Sequence, residues 1–490
     1  MYIARFIIKT LSPLHCGGGI DFSFIKDLDQ IVDRDLCGLW RIQGSSIAGV
    51  LRDYVRQIDI DLANKLFGYT QSDGYSKSSL VWVNDAYLLD YDGNIAYRKM
   101  LDGQEVEICS EPFIRDHVNI DLNKGNAVDG GKYDEEIVPP GVKFALELKL
   151  DTGAYEADAG ELQGFLNLCA AIKQGVIRLG GKQISGYGEF LCEYASVRKL
   201  DLKDENDLVA YLNLKDGAKF EDSVGTEISL SNISHSIYAK ENLFSADLVI
   251  PLLSCGPLLA GGSNSIDEDV DMVCLATPIF DYAKKSYEEY YTLSGSAFRG
   301  VIRHRVYDIL LACDSSKDDF SVKEQRALQS LNKIFGCIHS DKSLCGHVHC
   351  HDIYLDKEIV SQKVQHVAID RFTGGAIEGA LFDEAPIWQK ELLLNVRISL
   401  RELSLYQTAV LLHALLDICL GEAAVGGGVN RGNGILRLKD LEKGLEIALK
   451  NVWCEAVCGN EKIDVSNQEQ LELWLEILDE ALLNGPDSLH

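Results

Sequence analysis

Positive charge is what this chain has least of. Among 490 residues, 47 are Lys or Arg and 75 are Asp or Glu, a formal net charge of −28. A summed field of that sign repels phosphate at long range, which excludes indiscriminate nucleic-acid binding. It leaves room for a local basic or amide-lined groove and for binding assembled with partners. Long apolar runs are missing too: the best membrane candidate, Ala409 to Leu420, is short and broken by His413 and Asp417, so it reads as a buried helix. Arg5 and Lys9 interrupt the apolar opening stretch and spoil a signal-peptide core. The 14 cysteines form no dense, regular framework, as expected of a reducing compartment. No Walker-type Gly-Lys-Ser/Thr is present, which weighs against a nucleotide-binding regulator built on glycine loops. The hydrophobic fraction of 46% and charged fraction of 25% are those of a globular protein, and the length suits two domains. The expectation is a soluble, cytoplasmic protein with no membrane partner.

What is present is organised around Leu11 to Arg52. Strand-forming residues from Tyr2 to Lys9 run into Leu-Ser-Pro-Leu-His-Cys-Gly-Gly-Gly, and a helix opens at Ser45 or Ser46 with Arg52 on its second turn. Free amides at that helix start, with those exposed by Gly17, Gly18 and Gly19, would make a surface that receives phosphate. Between them lie Asp27, Asp29, Asp33 and Asp35. Carboxylates beside such a surface are metal ligands, general acid/base groups or a source of repulsion, so chemistry is sought there first. His15 would donate to a phosphate or to a leaving oxygen, or serve as an ordinary hydrogen-bonded loop histidine.

The same pattern returns. Leu253-Ser-Cys-Gly-Pro-Leu-Leu-Ala-Gly-Gly repeats the opening, and Leu293-Ser-Gly-Ser-Ala-Phe-Arg-Gly-Val-Ile-Arg repeats Gln43 to Arg52, placing Ser296, Arg299 and Arg303 on a second helix. Gly44 to Gly295 is an offset of 251 (295 − 44). In order, Leu66-Phe67-Gly68 answers Ile334-Phe335-Gly336, and Asn84-Asp85-Ala86-Tyr87 answers His351-Asp352-Ile353-Tyr354. His117-Val-Asn-Ile-Asp121 then answers His366-Val-Ala-Ile-Asp370, and Leu179 to Gly188 answers Val425 to Gly434. Ordered blocks at a nearly constant offset mean tandem copies, 1–236 and 237–490, with the boundary near Ser236.

In each copy the expected order is strand, helix, short strands, long loop, strand, helix and strand. Copy one has a helix from about Glu161 to Gln174, and copy two has strand Leu392 to Leu400 and helix Leu405 to Leu420. This is the α+β, ferredoxin-like (RRM-like) order, with helices on one face of an antiparallel sheet. The last fifty residues, including Leu471 to Leu483, read as amphipathic helices that close copy two or meet a partner.

The late glycine loops, with Gly180, Gly181, Lys182, Gly186 and Gly188 in one copy and Gly426, Gly427, Gly428, Asn430, Arg431, Gly432 and Gly434 in the other, would offer amides to a sugar-phosphate chain whatever its bases. A plain turn is the bland alternative. A second signal belongs to copy two alone: Cys337, His339, Cys345, His347, His349, Cys350 and His351 crowd one loop. That density suggests a closed structural Zn²⁺ site with ligands Cys337, His339, Cys345 and His347, or Cys350 among them, against a metal-free thiol-rich loop.

Together the glycine run, the Asp loop, Gly-Ser-Ser with Arg, the Phe-Gly pair and the late Leu-Gly-Gly-x-x-x-(Ser/Arg)-Gly-x-Gly resemble the RAMP superfamily of CRISPR-associated proteins. More narrowly, they resemble the backbone subunit of type III effector complexes, here as two fused copies, as in type III-D. The resemblance implies a palm whose face holds guide RNA, and a thumb hairpin that kinks the guide-target duplex. It also implies an aspartate in each first loop that, with Mg²⁺, cleaves target RNA by metal-assisted attack of the ribose 2′-OH. By matched position these are Asp29 and Asp271. The thumbs are His117 to Asp134 and His366 to Asp383, with His117, His366 and Arg371 as contacts and Val118, Ile120, Val367 and Ile369 as wedge or hairpin core. Implied partners are guide RNA, target RNA and other subunits of the complex, including the large polymerase/cyclase-like one. Copy two departs from the pattern: Asp267, Glu268, Asp269 and Asp271 crowd together, and His15 is matched by Leu259. It would cut more slowly, use Asp269, or only bind. The rival roles are a non-catalytic guide-RNA scaffold and a guide-processing endoribonuclease.

Overall fold

The computed structural model describes residues 1–17, 28–70, 74–101, 103, 112–151, 158–214, 217–221, 224–230, 243–262, 270–338, 343–356, 358–450, 452–459 and 461–484. The chain forms two tandem ferredoxin-like domains; the expected boundary near Ser236 lies outside the described residues. In the first, strands Phe190–Lys199, Tyr2–Thr10, Lys143–Leu150 and Val81–Val83 lie side by side and antiparallel, the fourth-first-third-second order of that fold. In the second, Phe244–Ser254 and Leu393–Leu403 are central, Val348–Cys350 is outside the latter, and Leu436–Leu438 and Trp453–Cys458 share the fourth place.

The cores follow from periodicity. Along Tyr2–Thr10, Ala4, Phe6 and Ile8 meet Ile47, Leu51, Phe165 and Leu168 from helices Gly44–Ile58 and Ala159–Gln174, while Ile3 and Ile7 point to the other face. Helix Ala159–Gln174 starts earlier than its apolar face suggests, because Asp158 and Glu161 form a capping box, and it ends at Gly175 with φ of 68°. Helix Leu405–Leu420 repeats both devices with Ser404, Gln407 and Gly421, and buries the apolar stretch that alone resembled a membrane segment. Among the described residues no helix is long and apolar enough to cross a membrane.

Two expectations change. The last fifty residues are not helical throughout: hairpin Trp453–Cys458 and Glu461–Ile463 extends the second sheet before helix Gln468–Asn484, whose Leu478 and Ala481 are buried. Short strands carry too little periodicity to be read. The palm of the first domain is also not an open face, since Leu200, Phe220 and Val224 cover Ile3, and Arg5, 3% exposed, lies against Phe220 and pairs with Glu147.

Each domain extends an antiparallel hairpin, Phe113–Ile120 with Ala127–Ile137 and Val364–Ile369 with Ala376–Ala385. Asp121 and Asp370 turn the two tips by accepting from the amides of Asn123 and Phe372. The hairpin of the first domain leans on the second: Leu122 packs against its core, and Asn123 bonds Glu324 and Tyr307.

The domains are joined by buried polar contacts. Arg115 donates to Asp352 at 2.8 Å and to Thr277 at 2.9 Å, and Asp352 also accepts from the Gly295 amide. Glu189 faces His351 at 2.7 Å and Arg397 at 3.1 Å. Burial would raise the Glu189 carboxyl, but His351, Arg178 and Arg397 outweigh it and hold it at about 2 instead of 4.5. A carboxyl depressed in the folded state contributes stability that is complete above its unfolded value and disappears as pH falls through its folded value. The thermal midpoint should therefore fall between pH 4.5 and about 2, and Glu189→Gln should fall less steeply across that window in melts followed by circular dichroism.

Candidate nucleic-acid interface

The late glycine loops are pinned to the opening loops in both domains by the same bonds. Gly181 donates to the His15 carbonyl at 2.9 Å and Gly188 to Pro13 at 2.9 Å; Gly427 donates to Leu259 at 2.7 Å and Gly434 to Pro257 at 2.7 Å. The Gly186 and Gly432 amides close their own turns on Gln183 and Val429. These amides are therefore used within the protein and are not free for phosphate. The glycines are required sterically: Gly188 (φ 81°) and Gly434 (φ 77°) lie so close to the Leu179 and Val425 carbonyls that a Cβ would overlap them.

The helix starts are likewise occupied. The Gly44 amide donates to Asp85 at 2.7 Å and that of Gly295 to Asp352 at 2.8 Å, which corrects the expectation of open amides there. Ser45 and Ser46 are exposed, Arg52 reaches Asn64 at 3.4 Å, and Ser296 bonds Ser294. Arg299 turns inward to the Phe335 and Val348 carbonyls, and burial lowers Arg299 and Arg303 from their ordinary range.

Each pinned loop sends one cation to a buried glutamate at the base of its hairpin. Glu135 is held by Lys182, by His117 at 2.5 Å and by the Tyr187 hydroxyl at 2.8 Å. Burial favours its neutral form, but His117 and Lys182 outweigh burial and hold it at about 2. Glu384 is held by Arg431, with His366 at 3.0 Å. Tyr133 stacks on His117 at 4.9 Å and Phe382 on His366 at 5.0 Å, and Lys182 and Arg431 lie over those two rings. Sequence reasoning named the histidines and cations but missed Glu135, Glu384, Tyr133 and Phe382. The signal was there as Tyr-Asp-Glu at 133 and Phe-Asp-Glu at 382.

Beside each glutamate sits a candidate catalytic aspartate. Asp29 accepts from the Asp134 amide at 3.1 Å, and Asp271 from the Asp383 amide at 2.9 Å. Gln30 pairs in parallel with Glu135, as Met272 does with Glu384. The two aspartates are thus equivalent, both are exposed, and the second oxygen of each makes no hydrogen bond among the described residues. Asp33 pairs with Arg41 at 2.7 Å, and Asp35 folds its turn by accepting from Cys37 and Leu39. Asp27, Asp267, Asp269 and Gly18 lie outside the described residues. Hard carboxylate oxygens at Asp29 and Asp271 fit Mg²⁺.

The surroundings differ. In the first domain a hydrogen bond with Asp116, followed by burial and the charges of Asp116 and Asp29, raises Asp134; in the second, Asp383 pairs with Lys363 at 2.7 Å. His15 is buried, with Nδ1 on the Glu136 carbonyl at 2.8 Å, and Gly17 pairs with Val32. Val118, Ile120, Val367 and Ile369 are 45–55% exposed and so are not hairpin core. Arg371 is exposed at the second tip.

Of the expected zinc ligands, Cys337 exchanges backbone hydrogen bonds with Leu344, which precedes Cys345, and His347 Nδ1 lies 2.9 Å from the Arg401 carbonyl. His339 lies outside the described residues, and Cys350 is in the core. Among the described residues no three His, Cys, Asp or Glu side chains converge as a metal site.

The chain matches the RAMP superfamily over residues 7–190 and 283–437. No curated protein matches it. Two solved structures similar to it are chains of Type III-B Cmr-beta cryo-EM structures. One, in the apo state, has 16% identity and a TM-score of 0.28, covering 39% of this chain and 96% of that one. The other, bound to cognate target RNA, has 14% identity and a TM-score of 0.29 with the same coverage.

Gly188→Ala and Gly434→Ala should each cost roughly 1–3 kcal/mol or more, from backbone strain plus the overlap. Urea unfolding checks this, with Gly49→Ala, exposed within helix Gly44–Ile58 and meeting nothing within 4 Å, as a comparison expected to gain about 0.5–1 kcal/mol.

Proposed function

Because the chain belongs to the RAMP superfamily, we propose that it is a backbone subunit of a type III CRISPR effector, with two copies fused as in type III-D. It binds guide RNA and cleaves complementary RNA at two places. The observation that carries this reading is the pairing of Asp29 with the Asp134 amide and Asp271 with the Asp383 amide, one exposed carboxylate at the base of each thumb. The exposed apolar thumb residues suit a wedge that splays a nucleotide so that its 2′-oxygen, phosphorus and 5′-oxygen fall in line. The free oxygen of Asp29 or Asp271 then takes the 2′-hydroxyl proton as the 2′-oxygen attacks the adjacent phosphorus. The bond to the 5′-oxygen breaks and that oxygen takes a proton from water, leaving a 2′,3′-cyclic phosphate and a 5′-hydroxyl. Mg²⁺ held at the same carboxylates would supply positive charge to the phosphate.

Guide processing as the main role is disfavoured by Leu259 in the place of His15, since that chemistry calls for a histidine in both copies. We also propose structural Zn²⁺ at Cys337 and Cys345, with His339 and His347 completing it. Elemental analysis that finds no zinc in the purified chain would remove that proposal. For the reaction, Asp29→Ala and Asp271→Ala in the assembled complex should each abolish one of two cuts by about 100-fold or more without loss of RNA binding. Cutting at both positions by the double variant would leave only the scaffold role.

A further inference from the structure

The two acid-bearing sites share their backbone anchors but not their charge. By strand register, Arg115 opposite Glu135 answers Val364 opposite Glu384, so Asp116 answers Gln365 and Lys132 answers Leu381. One residue before Val364 stands Lys363, where the first hairpin has Ile114. In the first domain Asp116 and Asp134 face each other across the hairpin, and an oxygen of Asp134 is buried with no hydrogen-bond partner among the described residues. Asp29 is near enough for its charge to act on Asp134. The amine of Lys132, 3.0 Å from Asp116, is 65% exposed and largely spent on water. In the second domain the acid opposite Asp383 is gone. The Lys363 amine lies instead 2.7 Å from the Asp383 carboxylate, and the amide of that same residue holds Asp271.

We infer that Asp116 and Lys363 set how tightly each site holds its divalent cation, the first site binding it more tightly than the second. The inference rests on the reading that Asp29 and Asp271 hold Mg²⁺. Mg²⁺ takes one or two carboxylates and completes its shell with water and phosphate oxygens. Asp29 with the facing pair Asp116 and Asp134 concentrates negative charge where such an ion would sit, and a carboxylate oxygen without a donor is relieved by a cation nearby. At the second site an ammonium already meets Asp383 and stands against an incoming dication. A unit charge a few ångströms from a dication changes its binding by about tenfold even at the high effective dielectric of a surface. Glu135 and Glu384 do not discriminate, since each is held by a histidine and a longer cation in its own domain. Two cuts made by one chain therefore differ in cation demand, and scarce Mg²⁺ leaves the cut at Asp29 alone.

End-labelled target RNA tests this in the assembled complex, because product length reports each cut separately and Asp29→Ala and Asp271→Ala identify which is which. The Asp29 cut should half-saturate at about tenfold lower Mg²⁺ than the Asp271 cut. Lys363→Met and Gln365→Asp should each bring the requirement of the second cut down toward that of the first, Lys363→Arg should keep it, and Asp116→Asn should raise that of the first. A lysine that only braced the hairpin would, on removal, weaken the second cut without lowering its Mg²⁺ requirement. Binding is read without cleavage by replacing Mg²⁺ with Fe²⁺ and ascorbate in air and mapping oxidative chain scission by mass spectrometry. Scission beside Asp29 should appear at lower Fe²⁺ than scission beside Asp271, and Lys363→Met should narrow the gap. Equal cation requirements at the two sites, or requirements that Lys363→Met and Gln365→Asp leave unmoved, would overturn the inference. A complex that cuts nowhere would remove the cleavage reading, and the scission pattern would still decide the two affinities.

Discussion

Two glutamates withdrawn from water hold the working side of each domain. Glu135 and Glu384 are 0% and 1% exposed, and a carboxylate in that position persists only if cations reach it. The cation comes from the late glycine loop and the histidine from the facing strand of the thumb, so loop and hairpin cannot separate without exposing a buried charge. The residue before each glutamate then has its amide fixed, and on that amide rests the exposed aspartate of the opening loop. Glycine is required where each loop closes on its own Leu179 or Val425 carbonyl, because no side chain fits there. Loop, thumb and acid are thus positioned by one local network, built twice.

The network has drifted between copies by paired replacements. The first domain places Lys182 at the start of its turn, in the left-handed region, with Gly428 at that point in the second; there the charge comes from Arg431, three residues on. Copy one has a part-buried ion pair of Arg34 with Glu136, whereas copy two has Ala276 and Ala385 in those places. Neither solution leaves an unpaired charge. The difference that touches chemistry lies at Asp134 and Asp383, one beside a carboxylic acid and the other beside a lysine. The two aspartates therefore sit in different fields although their backbone anchors agree.

Much of this was legible in the sequence. The ordered blocks located both domains and both hairpins, because blocks at nearly constant offset carry register as well as similarity, while the pair Asp29 and Asp271 came from the family resemblance. The glycine loops were located but misread. Glycine freedom suggested amides open to phosphate, and only the packing shows them bonded to Pro13, His15, Pro257 and Leu259. The anchoring glutamates were missed for a different reason: Asp134, Glu135 and Glu136 follow one another, and Glu135 and Glu136 are both buried, against the alternation that would have told them apart. The covering of the first palm by Phe220 and Val224 was hidden in a polar stretch with weak periodicity.

The central claim is that both domains present the same acid-bearing, thumb-flanked site to one RNA path. Ultraviolet crosslinking of bound guide-target duplex, with peptides mapped by mass spectrometry, tests it most directly. Crosslinks should come in pairs, at His117 or Val118 near the first thumb and at His366 or Val367 near the second. Crosslinks confined to one domain, or clustered on sheet faces away from both thumbs, would contradict it.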